Sequence, residues 1–404
     1  MTLPAAMNQG LAWLVAALFA ILPLAHVPAL RNLLSLAAAL LITAVLMRER
    51  RVPPRPAWPM AAWIALGTAS ALWSADPAAT LHGVLYDMLL PAGVFLAAWR
   101  VAANDRAFDR VRWAAAGGVL CLGIMVALVF ATGRPAAMLL SDAGESNVTY
   151  YWPGVGVSST FAALIVPFAL FALASTRRAE RYAGAVILAA AISVATVSQN
   201  RIVWPSIVLS CAAFIAWLWP ALAPASRRIA LAILCVAAVA AGSAFYYASF
   251  ERRIAVPELG GDVRVQGWRE WTGIALQRPL LGHGFGRAQV HLEGERGITQ
   301  SIKQRDSYIS SHAHNLFLDI AVQLGVLGLA IYLALLGALL REYWRLGGAG
   351  ARDRLRLLGA TAFSLLVAMI AKNSTDDFMG HAVVIAFWGY AGMLLGRLDP
   401  RSRS

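Results

Sequence analysis

Charge is what this chain has least of. Only 14% of its 404 residues are charged, against about 25% in a typical soluble domain. A chain so poor in charge cannot cover itself with a hydrated surface, so a soluble globular enzyme is excluded. A disordered regulator is excluded by the opposite measure, since 59% of the residues are hydrophobic. Lysine is nearly absent, with 2 residues against 32 arginines. Together with abundant alanine and glycine this reflects a GC-rich genome, so arginine by itself is no sign of phosphate binding. Cysteine is scarce too. Cys121, Cys211 and Cys235 lie singly in apolar segments. They offer neither a disulfide framework nor a metal spacing, and each reads as a small buried hydrophobe.

What is present is long apolar runs, with a mean hydropathy of +0.64. Twelve can be marked, each near the ~20 residues that a bilayer requires. They are 11–27, 32–47, 59–75, 79–99, 113–132, 157–175, 183–199, 202–222, 229–249, 316–340, 357–371 and 382–395. The first lacks a basic leader and a small-residue cleavage site, so it reads as a retained span. The expected fold is an all-α integral membrane protein of about twelve transmembrane helices, one membrane domain over residues 1–404.

The net charge of +13 sits between these runs and serves as a topology signal. With the N-terminus inside, the inner segments hold 21 of the 34 basic residues. Both termini are then cytoplasmic. One long outer connection, 250–315, separates spans nine and ten and holds 9 of the remaining basic residues. A 66-residue loop in an otherwise tightly connected chain points to function. Within it, 264–278 places Val265, Trp268, Trp271, Thr272, Ala275 and Leu276 near one face at helical spacing. That predicts an amphipathic helix lying on the membrane or on the bundle, ended by Pro279 and the glycines at 282, 284 and 286. Tyr150, Tyr151 and Trp152 in the outer loop 133–156 read as interfacial aromatics.

All seven histidines, His26, His82, His283, His291, His312, His314 and His381, fall at or beyond the outer face. Polar work is therefore expected there. Arg201 sits between spans seven and eight with almost no loop, so it is held at the bilayer boundary, where an ionisable group is a functional candidate or a snorkelling helix end. Arg264 opens the amphipathic helix against its macrodipole, which a nearby anion would offset; a solvated loop arginine is the plainer reading. Trp268 and Arg269 follow one turn later. His312 and His314 stand where the loop re-enters the membrane, with Asn315 beside them and Asp319 one turn on. A histidine there can take a proton from a hydroxyl. His-x-His could also ligate a metal, but no carboxylate cluster completes a site: Asp376 and Asp377 are adjacent and off-pattern, and no Asp-x-Asp is found in an outer loop. If such a site displaced a diphosphate leaving group, arginines would have to neutralise it in place of a metal, through bidentate hydrogen bonds.

The ordered set of motifs resembles the O-antigen ligase family. It comprises Ser198-Gln199-Asn200-Arg201, then Arg264 to Arg269, then Pro279 to Gly286, then His314 to Leu318, then Gln323 to Gly328. The resemblance covers most of the chain in topology. It implies a GT-C type inverting, metal-independent glycosyltransferase with no cofactor in the bacterial inner membrane. Its donor would be a glycan on undecaprenyl diphosphate, its acceptor a sugar hydroxyl of lipid A–core, with the active site facing the periplasm and no role for nucleic acid. The family roles carried over are diphosphate binding for Arg201 and Arg264 and acceptor activation for His314. Asn315, Trp268, Arg269, His312 and Asp319 are supporting candidates. Rival readings are an O-antigen polymerase with the same donor, a protein O-oligosaccharyltransferase, and a twelve-span secondary transporter using Asp87 of span four. The last is disfavoured because the polar residues gather at one face.

Overall fold

The computed structural model describes residues 3–50, 52–131, 154–198, 200–251, 263–304, 309–348, 350–376, 380 and 382–402. Among these residues there is no β-strand. The helices are α1 (Leu3–Ile21), α2 (Pro28–Glu49), α3 (Ala57–Ala69), α4 (Pro77–Val84), α5 (Leu90–Val101), α6 (Asp105–Ala131), α7 (Val155–Leu173) and α8 (Arg178–Ser198). They continue with α9 (Val203–Leu218), α10 (Pro224–Glu251), α11 (Val263–Gln277), α12 (Arg287–Gly297), α13 (Gln300–Lys303), α14 (Leu316–Gly347), α15 (Asp353–Asn373) and α16 (Ala382–Leu398). One π-helical turn, Leu85–Leu89, joins α4 and α5 into a continuous rod and carries Asp87.

Each of the twelve apolar stretches falls on a helix. Among the described residues eight helical segments are long and apolar enough to cross a membrane, and Ala6–Ile21, Ala57–Leu72 and Ala382–Leu398 are shorter apolar helices. The protein is thus an all-helical membrane protein. Composition explains the layering. α16 is apolar on every side and every one of its residues is buried, as expected of a helix with no polar face. Around it an aromatic cluster locks α1, α5 and α7. Phe19 and Phe168 meet Tyr390 edge-on at 5.1 and 5.3 Å, and Phe95 meets Trp388 at 6.3 Å. α2 is peripheral, and exposes Leu33, Leu36, Leu40 and Met47. In water that stripe would be a liability, but against lipid it is solvated surface.

The arginines that set the expected topology also tie helix ends together. Arg100 pairs with Glu49 at 3.0 Å and Arg112 with Glu180 at 3.3 Å. Buried Glu342 is gripped by Arg55 at 3.2 Å and Arg345 at 2.5 Å, and Arg397 pairs with Asp105.

Three expectations need correction. The cysteines are not all buried: Cys121 and Cys235 are exposed on the outer faces of their helices and Cys211 is half-buried. The amphipathic helix forms, as α11, but its buried face is Gly267, Trp271 and Ile274, while Thr272 and Leu276 point outward. The reason is that the long connection has a small core of its own. Trp271, Ile274, Val290, Ile298, Ile302 and Ile309 close on each other and on Val322 of α14. Hence the helix lies on α14 of the bundle, one of the two settings expected for it, and on its own loop neighbours. Finally, the tenth apolar stretch is not one straight helix, because α14 is broken at Gly325. The aromatic triplet at 150–152 lies outside the described residues.

Candidate functional site

The site is built where the long connection returns to the bundle. Asn315 caps α14, its Oδ1 accepting from the Phe317 and Leu318 amides at 3.0 and 3.2 Å. Asp319, one turn on and buried, reaches back to accept from the Ala313 amide at 2.9 Å. From α11, the Trp268 indole donates to the Ala313 carbonyl at 2.8 Å and Trp271 to the Ile309 carbonyl at 3.0 Å. Two capping acceptors and two indoles thus fix residues 309–315. Held between them, His314 adopts φ +50°, a left-handed backbone uncommon for a non-glycine residue.

His314 is 6% exposed, and its Nδ1 lies 3.5 Å from Asp376 Oδ1. Asp376 follows the end of α15 and is itself buried. Its Oδ2 accepts from Lys372 Nζ and from Asn200 Nδ2, each at 2.9 Å. Arg264 donates to the Thr375 carbonyl at 3.1 Å, beside the same carboxylate. Burial pushes the Asp376 carboxyl up. The Lys372 ammonium, the hydrogen bonds from His314 and Asn200 and the charge of Arg264 outweigh that and hold it well below the usual carboxylate range. An ionised Asp376 sets the tautomer of His314, with the proton on Nδ1 and the lone pair on Nε2. That Nε2 is buried and has no hydrogen-bond partner among the described residues.

Not every candidate converges here. Arg201 follows Asn200, so its backbone is adjacent to the site. Its half-buried side chain makes no hydrogen bond or ion pair with the described residues. Arg269 is exposed. His312 was expected to point to another face, as it would on a helix. Residues 309–314 are not helical, and the His312 ring stands 4.0 Å from that of His314.

The missing carboxylate is also found. His312, His314 and Asp376 present potential ligand atoms that all lie within 4.8 Å of one another. Asp376 completes the cluster from 62 residues away, which no local pattern reveals; Asp377 lies outside the described residues. Two features weigh toward an anion rather than a cation here. One oxygen of Asp376 is already taken by Lys372 and Asn200, and Arg264 adds a second positive charge. Lys372 had a readable signal: it is one of two lysines in the chain and it lies at the end of an apolar run, four residues before Asp376.

The glycine-rich stretches have a mechanical role in this site. The break at Gly325 (φ +63°, ψ −166°) opens the backbone of α14. His283 and Gly284 then donate to the Val322 and Gln323 carbonyls, both at 2.9 Å, and Val326 donates to the Pro279 carbonyl at 2.8 Å. The two motif stretches therefore bond to each other and clamp the first turns of α14, which carry Asn315 and Asp319. A Cβ at Gly325 would lie 2.3 Å from the Leu280 carbonyl, and at Gly282 2.4 Å from that of Gln323. The backbone conformation at Gly325 alone costs another residue about 1–3 kcal/mol, before the clash is counted. Gly325→Ala is expected to lower the melting temperature and reduce activity. Gly337→Ala, on the same helix but in open space, should leave both unchanged in thermal unfolding and activity assays.

Fold and site together define a class: a many-helix membrane protein whose one end gathers a buried histidine, an ionised carboxylate and several cations. Residues 184–333 match the O-antigen ligase family. A provisionally named polysaccharide ligase of Rickettsia prowazekii (strain Madrid E) is 34% identical over 75 residues. That stretch is 19% of this chain and 18% of the relative, so the likeness spans less than a fifth of that protein. The family match takes in Asn200, Arg201, Arg264 and His314, while Lys372 and Asp376 lie beyond it. The resemblance read from the motifs is thus met by a family match over residues 184–333 and by a short likeness to a polysaccharide ligase.

Proposed function

We propose that this protein is an inverting, metal-independent glycosyltransferase of the O-antigen ligase kind. It transfers O-antigen polysaccharide from undecaprenyl diphosphate to a sugar hydroxyl of lipid A–core. The observation that carries the reading is the uncommitted, buried Nε2 of His314, with its ring oriented by ionised Asp376 and Arg264 alongside. His314 Nε2 takes the proton of the acceptor hydroxyl. The acceptor oxygen attacks the anomeric carbon in line while the bond from that carbon to the diphosphate oxygen breaks. Undecaprenyl diphosphate leaves with both electrons, and Arg201 and Arg264 hold its charge. Asp376 stabilises the imidazolium that forms. Lys372 and Asn200 fix Asp376.

In this reading the twelve apolar helices all cross the bacterial inner membrane and residues 1–404 form one membrane domain. Both termini are cytoplasmic, and the 250–315 connection and the site face the periplasm. The arginine-rich helix ends support that orientation. The direct test is transfer by purified protein supplied with lipid-linked glycan and lipid A–core. A polymerase would instead extend one lipid-linked repeat with another, and would do so without lipid A–core. Deletion separates them as well: loss of a ligase leaves long polymer on the carrier, and loss of a polymerase leaves single repeats. Transfer should persist in excess EDTA, because cationic side chains do the work of a divalent ion. Activity that collapses in EDTA and returns with Mg²⁺, Mn²⁺ or Zn²⁺ would mean that His312, His314 and Asp376 hold a metal after all.

A further inference from the structure

We propose a second binding site, for an anionic glycerophospholipid, at the end of the bundle opposite to His314. The unbroken 21-residue α15 runs from Asp353 at this end to Asn373 beside the site, about 32 Å at 1.5 Å per residue and close to the thickness of the hydrocarbon core. At the Asp353 end a cavity of about 620 Å³ opens between α9, α14 and α15. Its lining includes Trp217, Gly337, Leu340, Arg341, Trp344 and Phe363.

The walls are preformed. Trp217 donates its indole N–H to the Gly347 carbonyl at 2.9 Å, with Trp344 edge-on to it at 5.0 Å and Phe363 tilted beside it at 5.2 Å. The polarity runs along the helix axis. Arg341 and Trp344 stand within two turns of the end of α14, where tryptophans and arginines meet headgroups. Gly337 lies one turn deeper and Phe363 ten residues into α15. A charged rim above an apolar floor matches one end of a phospholipid, phosphate at the rim and acyl chain below.

Charge supplies the choice of lipid. Glu342, the acid next to Arg341, is already gripped by Arg55 and Arg345. Arg341 makes no hydrogen bond or ion pair with the described residues, and Arg352 and Arg354 follow within the same basic segment. An anionic headgroup answers that excess, whereas a zwitterionic one carries its own cation. A second apolar cavity of about 460 Å³ shares Ala216 and continues past Trp219 to Leu231 and Leu234 of α10, giving room for a second chain.

The test is native mass spectrometry of the full-length protein from mixed micelles of equimolar phosphatidylglycerol and phosphatidylethanolamine. Wild type is expected to retain phosphatidylglycerol in about five-fold excess, the effect of roughly one interfacial arginine. Arg341→Gln should return the ratio to near one. Gly337→Leu fills the cavity from a position with open space around it, and should reduce retention of both lipids. Equal retention by wild type, an unchanged preference in Arg341→Gln, or full retention in Gly337→Leu would each overturn the site. None of these readouts depends on the transfer reaction.

Discussion

Removing the His314 imidazole should cut transfer by about 10²–10⁴-fold while donor binding stays close to wild type. That is the ordinary contribution of a positioned general base. His314→Asn is the better variant, because asparagine tolerates the left-handed backbone at this position and alanine does so poorly. Asp376→Asn keeps the volume but removes the charge that orients the ring, so it should also depress turnover and alter the pH profile. The carboxyl is held low in the folded protein and is lost only as pH falls through that depressed value. No activity change assignable to Asp376 itself is therefore expected between pH 5 and 8. The double variant should be no worse than His314→Asn alone, since Asp376 acts through the histidine. If Asp376→Asn multiplies the loss instead, the two residues work independently and the base is misassigned. His312 stands against His314, so its loss should disturb the ring without abolishing turnover. A dead His312→Ala beside an active His314→Asn would exchange their roles.

Loss of Arg264 should weaken donor binding by about 10–100-fold, from one charge-assisted contact at ~1.5–3 kcal/mol, and should leave little transfer. Arg264→Lys should also be poor, because an ammonium cannot reproduce the planar fork. A complication is built into the site. Arg264 also holds the Thr375 carbonyl, next to Asp376. If that anchoring is its whole role, the variant will lose kcat while donor Kd stays put. Arg201 gives the cleaner comparison, having no internal hydrogen bond or ion pair among the described residues to lose. Arg201→Ala should raise donor Kd without lowering the melting temperature. Exposed Arg269→Ala should be near wild type in both measurements.

Much of this protein follows from its sequence alone, for a definite reason. Membrane helices are dictated by local composition, because every backbone polar group in lipid must be satisfied within its own helix. The twelve apolar runs therefore fall on helices, although the helix ends differ from the runs by up to eight residues, as at α1 and α6. The loop near 250–315 could be seen as the place for polar chemistry because histidines and a long connection gather there. Asn315 and Asp319 were legible as the holders of the α14 start because capping is local too.

What the sequence could not decide were contacts made across the bundle. Asp376 looked off-pattern because its partners, Asn200 and His314, come from distant helices and loops. The buried face of α11 was misjudged at Thr272 and Leu276, because the loop folds a small core that seats the helix on α14 around Gly267, Trp271 and Ile274. The glycines at 282 and 325 were readable as breakers, but their mutual clamp exists only once two backbones approach too closely for any side chain. Tertiary packing also turned His312 toward His314, because residues 309–314 are held in a non-helical path by indoles from α11. Local hydropathy set where the apolar helices form. Only the packing of those helices set which charges meet at the site.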